Sequence, residues 1–362
     1  MSASAPLRIA FVGCGDISGH YARSLKTRPD LVTIVGAFDL REEALAWFCR
    51  EFDCTRYPDL EAVLADDKID LVVNLTIQSA HHPVTRQCLE AGKHVHSEKP
   101  LALTRAEANE VVALADAQGL RLSCSTFTWM GEAQQTTWKA IREGMLGEVR
   151  VVFAEMNWNR IEFWHRFPIP FYAAGVGPLF DVGVYPLGVL TTLLGPVASV
   201  SGFGKIVLPE RRTLDGEPFT VGAPDIMVGG LEFATGALGR LTCSFYVGQT
   251  KQQGIEFHGD AGTIHLESAH NFESPARFHP FGQHAEWTPV PYVKEPYPGV
   301  EWGRAIFDLA EALAAGRPHR CTGAQAAHVV DICCGIAESA ETGGKVPVTS
   351  TFPPPEPMPW AR

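Results

Sequence analysis

Residues 7–13, LRIAFVG, form an apolar run, Arg8 apart, that stops at a glycine, and CGDISGHYARSL follows it. A run of this kind suits a strand buried on both faces, as in a parallel sheet covered by helices. Gly13 permits a tight turn, and Gly15 lets the backbone approach a pyrophosphate. Ser18 stands where the third glycine of Gly-x-Gly-x-x-Gly would allow close helix packing. With Asp16 and Ile17 leading into it, a helix over 18–27 would point its N-terminal amides at phosphate. TIVGAF then makes a second strand ending at Asp39, 24 residues after Gly15, close to the interval of about 20 at which an acidic side chain grips the ribose hydroxyls of a dinucleotide. Asp39 is also placed to cap the helix that starts at Arg41. A carboxylate there repels a 2′-phosphate and favours NAD; Arg41, two residues on, can pair with that phosphate and keeps NADP open.

The alternation continues. Leu45, Phe48 and Phe52 are spaced for a helix over 41–52, a shorter helix follows over 59–65, and IDLVVNLT is the next strand. After a helix reaching Ala91 comes GKHVHSEKPLA, whose His94, Val95 and His96 form a buried strand. Lys99 lies at its C-terminal end, where open parallel sheets bind ligands, and Pro100 stiffens the turn. Thr104 and Glu107 open a helix over 104–118 as a capping box, Gly119 stops it, and RLSCS completes a doubly wound sheet. The expected first domain is 1–123, a Rossmann doubly wound parallel sheet. Residues 124–362 change period: VRVVFAEMNW, ASVSGFG, DIMVGGLEF, GALGRLTCSFYV, GIEFHGD and GTIHLES alternate between glycine turns. They read as an α+β domain on a large, mainly antiparallel open sheet. Few helices accompany it, over 132–143, 178–194, 302–315 and 324–341. In the second of these Asp181 and Tyr185, four apart, share one face.

Composition excludes several classes. A net charge of −11 without a Lys/Arg cluster argues against nucleic acid, and no apolar run approaches the ~18 residues of a membrane span. The nine cysteines are irregularly placed, which suggests free thiols and, with no signal-peptide pattern, a cytoplasmic protein. Cys-x-x-Cys and His-x-x-x-His are missing, so no metal is expected.

The string AGKHVHSEKPLALT, set after the glycine turn, resembles the glucose-fructose oxidoreductase / inositol 2-dehydrogenase / rhizopine catabolism (Gfo/Idh/MocA) family, with Glu98, Lys99 and Pro100 matching its signature tripeptide. The resemblance runs from Arg8 to about Pro347. It implies an NAD(P)-dependent dehydrogenase or reductase acting on a secondary hydroxyl of a sugar, cyclitol or related diol. TIQSAHH resembles the family's Thr-Pro-Asn-x-x-His loop beside the nicotinamide half of the cofactor; Thr76 and His81 agree, while Ile77 and Gln78 depart from it. His81 would otherwise cap the following helix. Asp-Val-Gly-Val-Tyr at 181–185 resembles the family's second motif. Tyr at 185 in place of His matches the branch with glucose-fructose oxidoreductase and dimeric dihydrodiol dehydrogenase.

Hydride transfer from a secondary alcohol requires a proton acceptor, a group that holds the alkoxide, and a nicotinamide. Tyr185 would be acid/base, Lys99 would stabilise the alkoxide and depress the tyrosine's pKa, and Asp181 would orient substrate or lysine; alternatively Lys99 is itself the base. Glu98 and Lys99 would also border the cofactor. The aromatic stretch 157–172 contains Trp158, Phe163, Trp164 and His165, which suit either the faces of a sugar or aromatic diol or a subunit interface. Trp129 stands where much of the family has arginine. It joins Trp164 and His165 as a candidate substrate contact, and it leaves the substrate unassigned. Two other functions stay open: a ligand sensor that binds cofactor without turnover, and cofactor-assisted glycoside cleavage. The open sheet, covered on one face, is expected to build a homodimer or homotetramer.

Overall fold

The computed structural model describes residues 5–282 and 284–362 and divides into two compact units. The first comprises the chain up to Phe127 with Glu301–Ala327; the second comprises Thr128–Val300 with His328–Arg362. This division differs from the contiguous boundary expected at 123, because residues 301–327 group with the first unit.

In the first unit strands and helices alternate as β1 (Leu7–Val12), α1 (Asp16–Leu25), β2 (Val32–Phe38), α2 (Glu42–Phe52), β3 (Thr55–Arg56), α3 (Leu60–Ala65), β4 (Leu71–Asn74), α4 (Gln78–Glu90), β5 (His94–Ser97), α5 (Arg105–Gln118) and β6 (Leu122–Cys124). The strands pair in the order β3-β2-β1-β4-β5-β6, all parallel. Helices cover both faces of such a sheet, so its central strands are apolar throughout: Ile9, Ala10, Phe11, Leu71, Val72, Val73 and Val95 have no exposed surface. Thr104 Oγ1 accepts from Glu107 N–H at 3.2 Å, and Gly119 ends α5 at φ +66°. The two-residue edge strand β3 carried no period to read.

The second unit begins with α6 (Glu132–Arg142) and β7 (Val149–Asn157). Next come α7 (Gly177–Asp181), α8 (Val184–Leu194), β8 (Val197–Lys205) and a two-stranded hairpin, β9 (Glu210–Arg212) with β10 (Pro218–Thr220). The remaining strands are β11 (Ile226–Phe233), β12 (Leu238–Ser244), β13 (Gly254–Gly259), β14 (Gly262–Leu266), β15 (Ala276–Pro280), β16 (Thr288–Pro289) and β17 (Val346–Pro347). The large sheet has the order β16-β15-β14-β13-β7-β12-β11-β8-β17 and is antiparallel except between β7 and β12. Helices α6, α7 and α8 pack on one face. There Gly202 and Gly229 admit Ile336: a Cβ on Gly202 would stand 2.2 Å from Ile336 O, and one on Gly229 2.6 Å from its Cδ1.

The single helix expected over 178–194 is two. Pro186 has no N–H for the Val182 carbonyl, and its ring clashes with that group in a continuous helix; the amides of Val182 and Gly183 instead both donate to Pro178 O at 2.9 Å, and the chain restarts at Val184.

The returning segment carries α9 (Arg304–Ala315) and the start of α10 (Gly323–Thr342). Trp302 packs against Tyr21 (5.5 Å between ring centroids) and Phe127 (6.2 Å), and Gly303 N–H donates to Ser24 Oγ at 2.9 Å. Its Thr322 bridges Ser123 of β6. These contacts draw residues 301–327 into the first unit.

Candidate active site

The glycine turn between β1 and α1 has no room for a side chain at Gly13: φ is +96° and a Cβ would stand 2.5 Å from Leu75 O. At Gly15 the nearest atom to such a Cβ is Arg41 Nη2, at 3.7 Å, so this backbone is open to approach. Ser18 turns inward and donates its hydroxyl to Gly15 O at 2.6 Å, and Ile17 follows Asp16 in the first turn of α1. Asp39 does not cap α2, whose N-cap is Arg41. Its carboxylate ties the turn together: Oδ2 accepts from Cys14 N–H at 2.6 Å and Oδ1 from Arg41 N–H at 2.7 Å, with Arg41 Nε 3.5 Å away. Alongside lies a cavity of about 330 Å³ lined by Cys14, Gly15, Asp16, Gly19, Arg23, Arg41, Ala44 and Trp47. An open glycine backbone at a helix N-terminus, an acidic residue at the end of β2 and a cavity beside them fit a dinucleotide. Arg23 was not among the expected residues; it joins them only because α1 and α2 pack side by side.

At the ends of β4 and β5 the first unit joins two further turns. Thr76 is half-buried, and its hydroxyl donates to Asn74 Oδ1 at 2.7 Å. His81 is 2% exposed, and its ring lies between two backbone carbonyls, Nδ1 2.7 Å from Pro100 O and Nε2 3.0 Å from Thr76 O, so that the neutral ring donates to one of them at a time. It straps the Thr76 turn to the Lys99 turn rather than presenting itself to a ligand. Burial pushes its pKa below the ordinary value, against the raising influence of Pro100 O and Glu98.

Lys99 is half-buried and followed by a cis peptide to Pro100. Its N–H donates to Glu98 Oε2 at 2.9 Å, and Tyr21 of α1 donates to Glu98 Oε1 at 2.7 Å. Tyr21 Oη lies 2.7 Å from Ser125 Oγ, which lies 3.1 Å from His96 Nε2; His96 Nδ1 lies 3.0 Å from Ser123 Oγ. The expected set included Glu98 but none of its partners. A tyrosine hydroxyl on the inner side of α1 and a histidine inside a core strand were the available signals, since buried polar groups require partners.

Asp181, Tyr185, Trp129, Trp164 and His165 all belong to the second unit. Asp181 ends α7 and Tyr185 lies in the first turn of α8, both buried, so they belong to successive helices rather than to one helix face. The Tyr185 ring meets His270 edge-on at 4.7 Å. Trp129 is wholly buried edge-on against Trp138, so it offers no surface for a substrate; a large apolar ring there completes the core beside α6. Trp164 is 54% exposed, stacked edge-on with Trp158 and with His165, whose Nδ1 accepts from Phe167 N–H at 3.0 Å.

This aromatic segment is anchored by a group the sequence reading passed over. Arg211 of β9 donates to Glu162 Oε1 at 2.8 Å and to Asp225 Oδ2 at 2.6 Å, with both ion pairs buried. Tyr172 donates to Glu162 as well, and burial, then that carboxylate, raises the phenol's pKa. Burial opposes the charge on Arg211, but the two carboxylates keep its pKa above the usual value.

Comparison with known proteins agrees with this architecture. The pattern described as "Oxidoreductase family, NAD-binding Rossmann fold" matches residues 7–126, and that described as "GFO/IDH/MocA C-terminal domain" matches residues 134–265. Over 210 residues the chain is 34% identical to dTDP-3,4-didehydro-2,6-dideoxy-alpha-D-glucose 3-reductase of Streptomyces antibioticus, spanning 57% of this chain and 62% of that relative. Over 300 residues it is 27% identical to trans-1,2-dihydrobenzene-1,2-diol dehydrogenase of Bos taurus, 82% of each chain. Its fold resembles that of levoglucosan dehydrogenase, solved with NADH and L-sorbose, at a TM-score of 0.83 and 20% identity over 95% of this chain and 99% of that one. The two family patterns together take in more than half of the residues, and the chain belongs to the GFO/IDH/MocA oxidoreductase family.

Proposed function

We propose that this oxidoreductase transfers a hydride between NAD(P) and a secondary hydroxyl or carbonyl of a sugar, cyclitol or related diol, with NAD the favoured cofactor. One observation carries the reading: within a single unit, a glycine turn tied by Asp39 accompanies a Lys99 turn buttressed by Glu98. The sugar reductase and diol dehydrogenase among the relatives support the substrate class.

Gly13, Gly15, Asp16, Ile17 and Ser18 would hold the cofactor's phosphates, Asp39 its ribose, and Thr76 and the Glu98–Lys99 turn its other half. The nicotinamide, when bound, supplies the hydride acceptor or donor. The proton falls to the chain, and the residue types of the two motifs offer Tyr185 Oη or Lys99 Nζ as its acceptor, Lys99 as the group that would stabilise the alkoxide and Asp181 as the group that would orient substrate or lysine. Asp39→Ser should lower NAD affinity and raise NADP affinity through Arg41; a wild type that already prefers NADP overturns the role of Asp39.

The uncovered face of the large sheet exposes Phe203 (77%) and Leu238 (54%), which supports a second copy of the chain as its partner. The nine cysteines, none bridged among the described residues, fit a reducing compartment such as the cytoplasm. No helix among the described residues is long and apolar enough to cross a membrane.

A screen of sugars, polyols and aromatic diols for NADH fluorescence at constant pH tests the function. Reduction of NAD by one substrate class is the expected result. Ligand binding without turnover would favour a sensor, and sugar release with no net NADH would favour glycoside cleavage.

A further inference from the structure

The hydrogen bonds beneath Lys99 run in one direction. Next to a carboxylate, Tyr21 gives its single proton to Glu98 Oε1, because a charge-assisted bond is the stronger one. Its oxygen then accepts from Ser125 Oγ, at 2.7 Å. Ser125 in turn accepts from His96 Nε2, and Ser123 Oγ donates to His96 Nδ1. This proton placement is assigned from the network, and it suits a neutral imidazole: burial lowers the pKa of His96 to about 3. Ser97 O, at 3.2 Å, is the longer alternative for the Ser125 proton. Tyr21, Ser123 and His96 have no exposed surface, and Ser125 is 2% exposed. A chain of donors of this kind polarises cumulatively toward its end, the Glu98 carboxylate. The other oxygen of that carboxylate holds the Lys99 N–H.

We propose that Tyr21 is a positioning residue for the catalytic lysine: acting through Glu98, it fixes the Lys99 turn to helix α1, whose first turn borders the cofactor cavity. The inference rests on the reading of Lys99 as catalytic. Tyr21 touches neither substrate nor cofactor in this role. Its ring is already held by Trp302 and by His96, at 5.5 and 5.8 Å between centroids, so packing of the ring and the hydroxyl's bond to Glu98 are separable. The titratable groups around Glu98 are Tyr21 from α1, His81 from α4, Cys124 from β6, and Lys99 from its own turn, with His96 of β5 behind Ser125.

Tyr21→Phe removes the hydroxyl and keeps the ring. The Glu98 carboxyl resonance, followed by carbon-13 NMR at pH 7 with Glu98→Gln to assign it, should then move, because Oε1 has lost its hydrogen bond from the phenol. On the fastest substrate of the sugar and diol screen kcat should fall about tenfold, with KM and NAD affinity within twofold. A purely structural role would lower the melting temperature and leave kcat and the Glu98 resonance where they were, which overturns the inference. Ser125→Ala retains Tyr21 but deprives it of a donor, and should move the Glu98 resonance the same way by a smaller amount; no movement is equally fatal. Lys99→Met distinguishes the two claims. Undiminished turnover in that variant overturns the catalytic reading of Lys99 and this inference with it. An inactive Lys99→Met beside a fully active Tyr21→Phe overturns the inference alone.

Discussion

Lys99 and Tyr185 stand in sequence motifs whose residue types suit proton transfer, and each is set by its own surroundings, Lys99 by the Glu98 carboxylate and Tyr185 by the start of α8 and the His270 ring. If both act as the transition state forms, Lys99→Met and Tyr185→Phe should each lower turnover by roughly 10²-fold or more while cofactor affinity changes little. The double variant should lose much less than the product of the two, because groups that act as a unit are not additive. Stopped-flow turnover and fluorescence titration with NADH measure the two quantities separately. Near-normal turnover of Tyr185→Phe at every pH would leave Lys99 as the proton acceptor. Gly13 and Asp39 were legible because a turn of positive φ and an acidic residue at the end of β2 are local requirements. His81 was not, since the two carbonyls that flank its ring lie five and nineteen residues away.

Helix α10 and the β9–β10 hairpin show how elements are held by groups that periodicity does not report. Arg211→Met would leave Glu162 and Asp225 buried without their cation. The cost should be about 3–5 kcal/mol of folding stability, the usual range for breaking a buried ion pair from one side. Urea unfolding measures it, and an unchanged midpoint would show that the knot is dispensable. In α10, His328 has no exposed surface; its Nε2 accepts from Val197 N–H at 3.0 Å, and Nδ1 lies 2.9 Å from Ser350 Oγ. Burial lowers its pKa from 6.5 to about 4. Between those values the unfolded chain takes up a proton that the fold refuses, so stability falls as pH falls, on the order of 1.4 kcal/mol per pH unit for this one histidine. Above pH 6.5 it contributes no slope. His328→Gln should flatten the pH dependence of the melting temperature between 6.5 and 4; an unchanged slope would mean that His328 does not titrate against folding. The hairpin that carries Arg211 did have a signal, Asp215-Gly216, the dipeptide that favours tight β-turns, and Gly216 does adopt φ +86°. Pro186 was likewise in plain view within the expected helix, and it divides α7 from α8.

The parallel sheet hides both faces under helices, whereas the nine-stranded sheet takes helices on one face and exposes Phe203 and Leu238 on the other. With a second copy of the chain on that face, Phe203→Glu should shift sedimentation at micromolar concentration from dimer or tetramer toward monomer; a monomeric wild type would contradict the assembly. The two architectures, most of the helices and strands, the glycine turn and the place of Lys99 at the end of β5 followed from the sequence alone, because each depends on contacts within a few residues: period two or 3.6, a cap, a stop, a positive φ. The return of residues 301–327 to the first unit, the Arg211 knot and the support of Glu98 did not. Tyr21 meets Glu98 across 77 residues and Ser125 across 104, and Arg211 meets Glu162 across 49. Partners that distant are selected by the packing of whole elements, which settles which buried polar group lies against which, and no window of local sequence contains that information.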